Sequence, residues 1–204
     1  MTKISEKKFF DISDESSDAN IRIYSGDGDS ALFKFKNFNI LIDGGKGKDG
    51  NVMYEDIQVV DLVILTHGDN DHLNGIDSLV NSSTAAIKRF WTPFGTVARG
   101  WKHVITLKNK VIEKKIEFCS PTQGTTFIFG ELKIVVVLPD QTFQKRTDEI
   151  IKEVIKLNKE KEYKNKYKDK LTEINKYGLC FYIEAGDKDI CSLGIVMERI
   201  LSKD

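Results

Sequence analysis

The stretch that decides the fold is residues 59–76, which read Val-Val-Asp-Leu-Val-Ile-Leu-Thr-His-Gly-Asp-Asn-Asp-His-Leu-Asn-Gly-Ile. Its first part, Val59–Leu65, is a short apolar run bounded by polar residues, which predicts a buried strand interrupted only at Asp61. The chain after this strand brings together four potential metal ligands: His67, Asp69, Asp71 and His72. A loop that leaves the end of a buried strand is a usual place for a ligand site in open α/β sheets.

The types of these four side chains favour a metal site. Neutral imidazole and ionised carboxylate are both ligands for divalent metal ions. His67, Asp69 and Asp71 alternate with other residues, so an extended backbone can turn them toward one point, while His72 points elsewhere. Four ligands are more than one catalytic ion needs, which leaves one or two ions open. The competing interpretation is a polar turn with incidental histidines, and the buried strand before it argues against that interpretation.

Residues 66–75, Thr-His-Gly-Asp-Asn-Asp-His-Leu-Asn-Gly, resemble the signature of the metallo-β-lactamase superfamily, whose commoner form is His-x-His-x-Asp-His. In this chain Asp69 stands at the third place. The resulting form, His-x-Asp-x-Asp-His, resembles the hydrolase domain of the bacterial competence protein ComEC and its soluble relatives. Two earlier segments, residues 26–30 (Gly-Asp-Gly-Asp-Ser) and 40–45 (Ile-Leu-Ile-Asp-Gly-Gly), are similar to the opening motifs of the same family.

The resemblance implies a fold and a supporting residue. The implied fold is α+β, a metallo-β-lactamase-like αββα sandwich. Asp43 is implied to lie beneath the metal site, where its carboxylate would hydrogen-bond a metal ligand. The alternative for Asp43 is a turn residue at the end of a strand.

Periodicity and turn residues predict the remaining elements. Predicted strands are Ile21–Tyr24, Ala31–Phe35, Phe38–Ile42, Ala86–Trp91, Phe127–Phe129, Leu132–Leu138, Leu179–Ala185 and Ile190–Leu193. The first three form antiparallel hairpins rather than a βαβ unit, and the strands on either side of Gly130 form another hairpin. A short helix is expected at Ile76–Asn81, whereas Trp101–Leu107 and Val111–Phe118 fit either strand or helix.

Composition describes an ordinary globular chain of 204 residues with zero net charge, 40% apolar and 30% charged residues. This length fits a single domain, residues 1–204. Zero net charge excludes a global field that attracts nucleic acid or membrane. Three cysteines without paired spacing favour a reducing compartment. No apolar run can span a bilayer and no signal peptide is expected in the polar start, so a cytoplasmic location is predicted.

Residues 145–177 are rich in lysine and differ in character from the rest of the chain. Apolar residues at Tyr163, Tyr167, Leu171 and Ile174 follow helical spacing, which predicts a long helix or a helical pair. One interpretation is a basic, tyrosine-bearing arm for a nucleic-acid backbone. Because acidic residues are interspersed throughout, we favour a solvated, charged helical insertion.

The end of the chain departs from the family pattern. Ile195 stands where the family has an Asp that bridges two metal ions, and an isoleucine cannot ligate a metal. The chain has three histidines, and the one outside the main motif is His103, which is the remaining candidate near the site. A late His-rich motif has no counterpart here, so the C-terminal part of the usual domain is expected to be absent, as in a truncated member.

The expected function is a metal-dependent hydrolase of metallo-β-lactamase type. A metal-activated water would attack the substrate, and Asp71 would orient that water or accept its proton while helping to hold the metal. Asp69 makes the ligand set harder, which shifts the preference toward manganese or magnesium relative to zinc and favours a phosphodiester substrate such as nucleic acid. The expected cofactor is one or two ions of zinc or manganese, with magnesium also open. The alternative, motivated by Ile195, is a degenerate member that serves as a binding or regulatory protein with little or no activity.

Overall fold

The computed structural model describes residues 8–13, 19–26, 28–46, 57–82, 85–93, 101–142, 178–186 and 188–190, together with Lys145 and Glu149. In these residues the strands are β1 (Lys8–Ser13), β2 (Ala19–Gly26), β3 (Gly28–Phe35), β4 (Phe38–Ile42), β5 (Val59–Val60), β6 (Leu62–Ile64), β7 (Ala86–Ile87), β8 (Arg89–Trp91), β9 (Glu117–Cys119), β10 (Thr126–Phe129), β11 (Leu132–Leu138), β12 (Cys180–Ala185) and β13 (Lys188–Ile190). The helices are α1 (Asn70–Asn81) and α2 (Trp101–Glu113).

The chain divides into two compact units. The first comprises Met1–Leu65, Asp69–Trp91 and Ile105–Cys119. The second comprises Thr66–Gly68, Thr92–Val104 and Ser120–Asp204. Helices and strands both contribute, so the expected α+β class is confirmed.

The first unit contains a seven-stranded sheet in the order β1-β2-β3-β4-β6-β8-β9. Strands β1 to β4 pair antiparallel, which confirms the predicted hairpins. The pairs β4–β6, β6–β8 and β8–β9 are parallel. The carboxyl ends of β4, β6 and β8 therefore meet at one edge of the sheet, which is where the motif residues leave it.

The central strands of this sheet are buried over the last three residues of β4 and the whole of β6. Ile40–Ile42 in β4 and Leu62–Ile64 in β6 are continuous apolar runs, as parallel strands covered on both faces require. Helix α1 turns its apolar stripe inward, and its buried residues are His72, Leu73, Gly75, Ile76, Leu79 and Val80. Because a histidine belongs to this stripe, the helix carries a candidate ligand into the interior of the unit.

The single strand predicted for Val59–Leu65 is wrong, because Asp61 divides it into β5 and β6. Asp61 is only 4% exposed. Its carboxylate accepts hydrogen bonds from the Asn39 backbone N–H at 2.9 Å and from Lys88 Nζ at 2.7 Å. These partners come from distant parts of the chain, and β5 pairs with β7 in a separate two-stranded ribbon.

Replacing Asp61 with alanine is expected to lower the free energy of unfolding by about 1–3 kcal/mol, because the part-buried Asn39 N–H loses its acceptor. Urea denaturation measures this loss. The matched control is Glu117→Ala, which removes an exposed carboxylate from its ion pair with Arg89 and should change stability by about 0.5 kcal/mol or less. Equal losses in the two variants would contradict the structural role of Asp61.

Other predictions are corrected at their boundaries. Helix α1 begins at Asn70 rather than Ile76, so the second half of the motif forms its first turn. The ambiguous segment after Trp101 is helix α2 followed by the short strand β9. The apolar residues near the start of the chain form strand β1, which pairs with β2. The returning strand expected at Ile190–Leu193 already begins at Lys188, and residues 191–193 lie outside the described residues.

The second unit contains the sheet β10-β11-β12-β13, in which all neighbours are antiparallel. The predicted hairpin around Gly130 is confirmed by the pairing of β10 with β11. One face of β11 is buried through Leu132, Ile134 and Val136, and the residues between them are more exposed. This alternation is typical of an antiparallel strand with one covered face.

Two further predictions lie outside the described residues: the helical insertion at 145–177 apart from two isolated positions, and Ile195. In the part of the chain that the structure does describe, no helix is long and apolar enough to cross a membrane.

Candidate metal centre

Asp43 follows directly after β4, at the edge where the parallel strands end. Its backbone is left-handed, with φ of 55°, a conformation that Asp and Asn tolerate better than most residues. The residue is 5% exposed. The Asp43 N–H donates to the Ile64 carbonyl at 2.8 Å, and the Asp43 carbonyl accepts from Ser30 Oγ at 2.9 Å. Both backbone groups of Asp43 are therefore fixed by the strands on either side of β4.

The Asp43 carboxylate contacts His72 on helix α1. Oδ2 of Asp43 lies 2.9 Å from Nδ1 of His72, and both side chains are buried. An ionised carboxylate can only accept a hydrogen bond, so the neutral imidazole in this pair carries its proton on Nδ1. The lone pair of Nε2 is then the one that His72 can offer to a metal ion.

The charges around His72 favour its protonated form. Burial by itself would lower the pKa of His72, but the hydrogen bond to Asp43 and the negative charges of Asp43, Asp71 and Asp29 outweigh burial and raise the pKa above its usual value of 6.5. The same negative field would stabilise any cation placed beside this imidazole. Asp29 was not expected from the sequence to act on the site, because it lies in a glycine-rich hairpin.

His67 lies in the chain that links β6 to α1, and it is 3% exposed. Its Nδ1 lies 3.1 Å from the hydroxyl of Thr66. Asp43, His67 and His72 each offer one possible ligand atom, and these three atoms lie within 4.8 Å of one another. The structure thus brings His67 and His72, two of the four expected ligands, close to Asp43, the residue expected beneath the metal site.

The other expected site residues are placed differently. Asp69 is the N-cap residue of α1, in an extended backbone conformation, and its carbonyl accepts from the N–H groups of His72 and Leu73. Asp71 lies in the first turn with its side chain 52% exposed, and its Oδ2 is 3.8 Å from Nε2 of His72. His103 is exposed on α2.

The start of α1 is held against the end of β4 by two glycines. The Gly44 N–H donates to the His72 carbonyl at 2.8 Å, and the Gly75 N–H donates to the Gly45 carbonyl at 3.2 Å. A Cβ atom at Gly75 would lie 1.8 Å from the Gly44 carbonyl oxygen. Because side chains are absent at Gly44 and Gly75, the helix approaches closely enough for His72 to reach Asp43.

The donor set fits a divalent metal ion. Two imidazoles and a carboxylate are the ligand types of zinc, manganese and iron centres. One imidazole is already oriented by a buried carboxylate, as in carboxylate–histidine–metal arrangements. Fold and site together define an α+β protein with a candidate metal centre at the carboxyl edge of a mixed sheet.

The comparison with known families agrees with this class. The sequence model of the metallo-beta-lactamase superfamily matches residues 24–157, which include the candidate centre. The chain belongs to the metallo-β-lactamase superfamily. This superfamily is generally enzymatic, mostly hydrolytic, and binds divalent metals.

Individual similar proteins cover the chain only in part. Microtubule-associated protein 1A from Rattus norvegicus and from Homo sapiens are each 38% identical over 65 residues, which is 31% of this chain and 2% of those proteins. A diphosphatase of the PhnP family has a TM-score of 0.38 at 19% identity, over 54% of this chain and 42% of that one. A flavo di-iron protein mutant from Thermotoga maritima has a TM-score of 0.45 at 14% identity, over 65% and 36%.

Proposed function

We propose that this protein is a metal-dependent hydrolase that cleaves a phosphodiester. The observation that carries the proposal is the buried contact of 2.9 Å between Asp43 and His72, with His67 beside it. Two buried imidazoles, one of them oriented by a buried carboxylate, are a preorganised ligand set. Burying such polar groups costs free energy that packing alone does not require.

The proposed residue roles follow from position and exposure. His67 and His72 would hold the ion, with Asp69 adding a carboxylate at the start of α1. When bound, a divalent ion supplies Lewis acidity, polarising the phosphoryl group and making water more acidic. Asp71 is half-exposed beside Nε2 of His72, so its carboxylate can orient an attacking water and accept the proton of that water.

The finer assignments rest on ligand chemistry. Asp69 in place of a histidine makes the set harder, which supports manganese or magnesium alongside zinc and a substrate with phosphate oxygens, such as nucleic acid. The same residue supports a closer relationship to the ComEC-like branch of the superfamily. We propose a cytoplasmic location, which the three cysteines without paired spacing support.

The test is hydrolysis of bis(p-nitrophenyl) phosphate by the full chain, stripped with a chelator and then supplied with Mn²⁺, Zn²⁺ or Mg²⁺. Turnover is expected with at least one of these ions. Asp71→Ala should lower the rate by about 100- to 10,000-fold, the range for loss of a proton-transfer group.

Asp77→Ala is the matched control, because Asp77 lies on the same helix and its carboxylate pairs with Lys110 at 2.9 Å instead of facing His72. It should retain about the wild-type rate. Absence of turnover with all three ions, despite stoichiometric metal binding, would overturn the hydrolase proposal and favour a binding or regulatory protein.

A further inference from the structure

Ser30 is a buried hydroxyl at the end of the Gly-Asp-Gly-Asp-Ser segment, and the proposed metal ligands give it no role. It is 2% exposed, near the start of β3, and its Oγ donates to the Asp43 carbonyl at 2.9 Å. In the β3–β4 pairing Ala31 stands opposite Ile42, so Ser30 stands opposite Asp43 where β4 ends. The Ser30 hydroxyl thus adds one hydrogen bond beyond the last β3–β4 backbone pair, at the point where the backbone of Asp43 becomes left-handed.

The neighbouring backbone groups leave Asp43 little freedom while this bond is present. The Asp43 N–H is bound to the Ile64 carbonyl, and the next N–H, that of Gly44, is bound to the His72 carbonyl. The Asp43 carbonyl is the group between these two anchors, and Ser30 holds it. Asp tolerates φ of 55° better than most residues, but this conformation still costs more than a right-handed or extended one. Loss of one anchor would therefore let the backbone relax and turn the carboxylate away from His72.

We propose that Ser30 is a positioning residue of the metal centre: its hydroxyl holds Asp43 in the left-handed conformation that keeps the carboxylate on Nδ1 of His72. His72 then presents Nε2 to a divalent cation. The inference rests on the proposed metal-dependent function. It adds the hydrogen bond from Ser30 to Asp43 to the one between Asp43 and the ligand His72.

Calorimetric titration of the chelator-treated full chain with Zn²⁺ tests the link. Ser30→Ala should weaken Zn²⁺ binding about tenfold, the low end of the effect of groups that support metal ligands. Ser82→Ala is the matched control, because Ser82 Oγ also donates to a backbone carbonyl at 2.9 Å, that of Leu79 at the far end of α1. Ser82→Ala should leave Zn²⁺ affinity unchanged, and an equal loss in both variants would overturn the proposal.

A double-mutant cycle separates positioning from general destabilisation. Asparagine tolerates positive φ, so Asp43→Asn keeps the backbone while removing the carboxylate. If Ser30 acts through that carboxylate, adding Ser30→Ala to Asp43→Asn should weaken Zn²⁺ binding by less than about twofold. A further tenfold loss in the double variant would show that Ser30 acts elsewhere.

The ¹⁵N signals of His72 in the metal-free protein provide a readout that does not depend on metal. Wild-type protein at a pH where the imidazole is neutral should show the tautomer protonated on Nδ1, and Ser30→Ala should shift it toward the other tautomer. An unchanged tautomer overturns the inference. Wild-type protein that takes up no Zn²⁺ would overturn the proposed function, and the tautomer would still decide the role of Ser30. If Ser30→Ala does not fold, Ser30→Cys, which keeps the shape with a weaker donor, takes its place.

Discussion

Gly75→Ala is expected to destabilise the protein by about 3 kcal/mol or more, although the same change in an ordinary helix stabilises by about 0.5–1 kcal/mol. The reversal of sign has one cause. The added Cβ would lie 1.8 Å from the carbonyl oxygen of Gly44, and it would also meet the Cα of Gly44 at 2.9 Å. Backbone atoms cannot rotate aside as a side chain can, so α1 must move away from the end of β4.

Urea denaturation of metal-free Gly75→Ala measures this loss, with Asn74→Ala as the matched control. Asn74 precedes Gly75 on the same helix and is half-buried, so its replacement changes helix propensity without the clash. We expect the control to stay within about 0.5 kcal/mol of wild type. A Gly75→Ala variant at least as stable as wild type would show that α1 and β4 are not in the close contact that brings His72 to Asp43.

The parts of the fold that the sequence predicts are those set by local pattern. The sequence predicts strand β4 with its observed bounds, because a mostly apolar run between polar turns leaves few alternatives. The split at Asp61 was not predictable in the same way, since its partner Lys88 lies 27 residues later. The sequence does not predict the start of α1, because the polar residues of the first turn, including Asp71, are equally typical of a loop.

The candidate centre shows the same division between local and non-local information. His67 and His72 could be proposed from the motif itself, because their spacing and residue types carry the chemistry. The hydrogen bond from Ser30 to Asp43 joins residues 13 positions apart and depends on the register of β3 and β4. The residue types alone do not predict this register. Asp29 likewise adds to the charge around His72 only because the hairpin places it there.

His72→Ala is expected to abolish most of the stabilisation that a divalent metal gives to the wild-type protein. At a Zn²⁺ concentration of about 100 times the wild-type Kd, binding should add about 2.7 kcal/mol to the free energy of unfolding. Loss of a ligand should weaken binding by more than about a hundredfold, the upper end of the effect of supporting groups. The remaining stabilisation at the same Zn²⁺ concentration is then about 0.4 kcal/mol or less.

Thermal unfolding with and without Zn²⁺ measures this difference for each variant against its own metal-free form, so any structural loss in His72→Ala cancels. His103→Ala is the matched control, because it removes an equally capable imidazole from the exposed surface of α2. It should retain the full metal-dependent shift. A shift that survives in His72→Ala but is lost in His103→Ala would move the metal site away from the Asp43–His72 pair, because a ligand aligned by a buried carboxylate has to contribute more than an unsupported surface histidine.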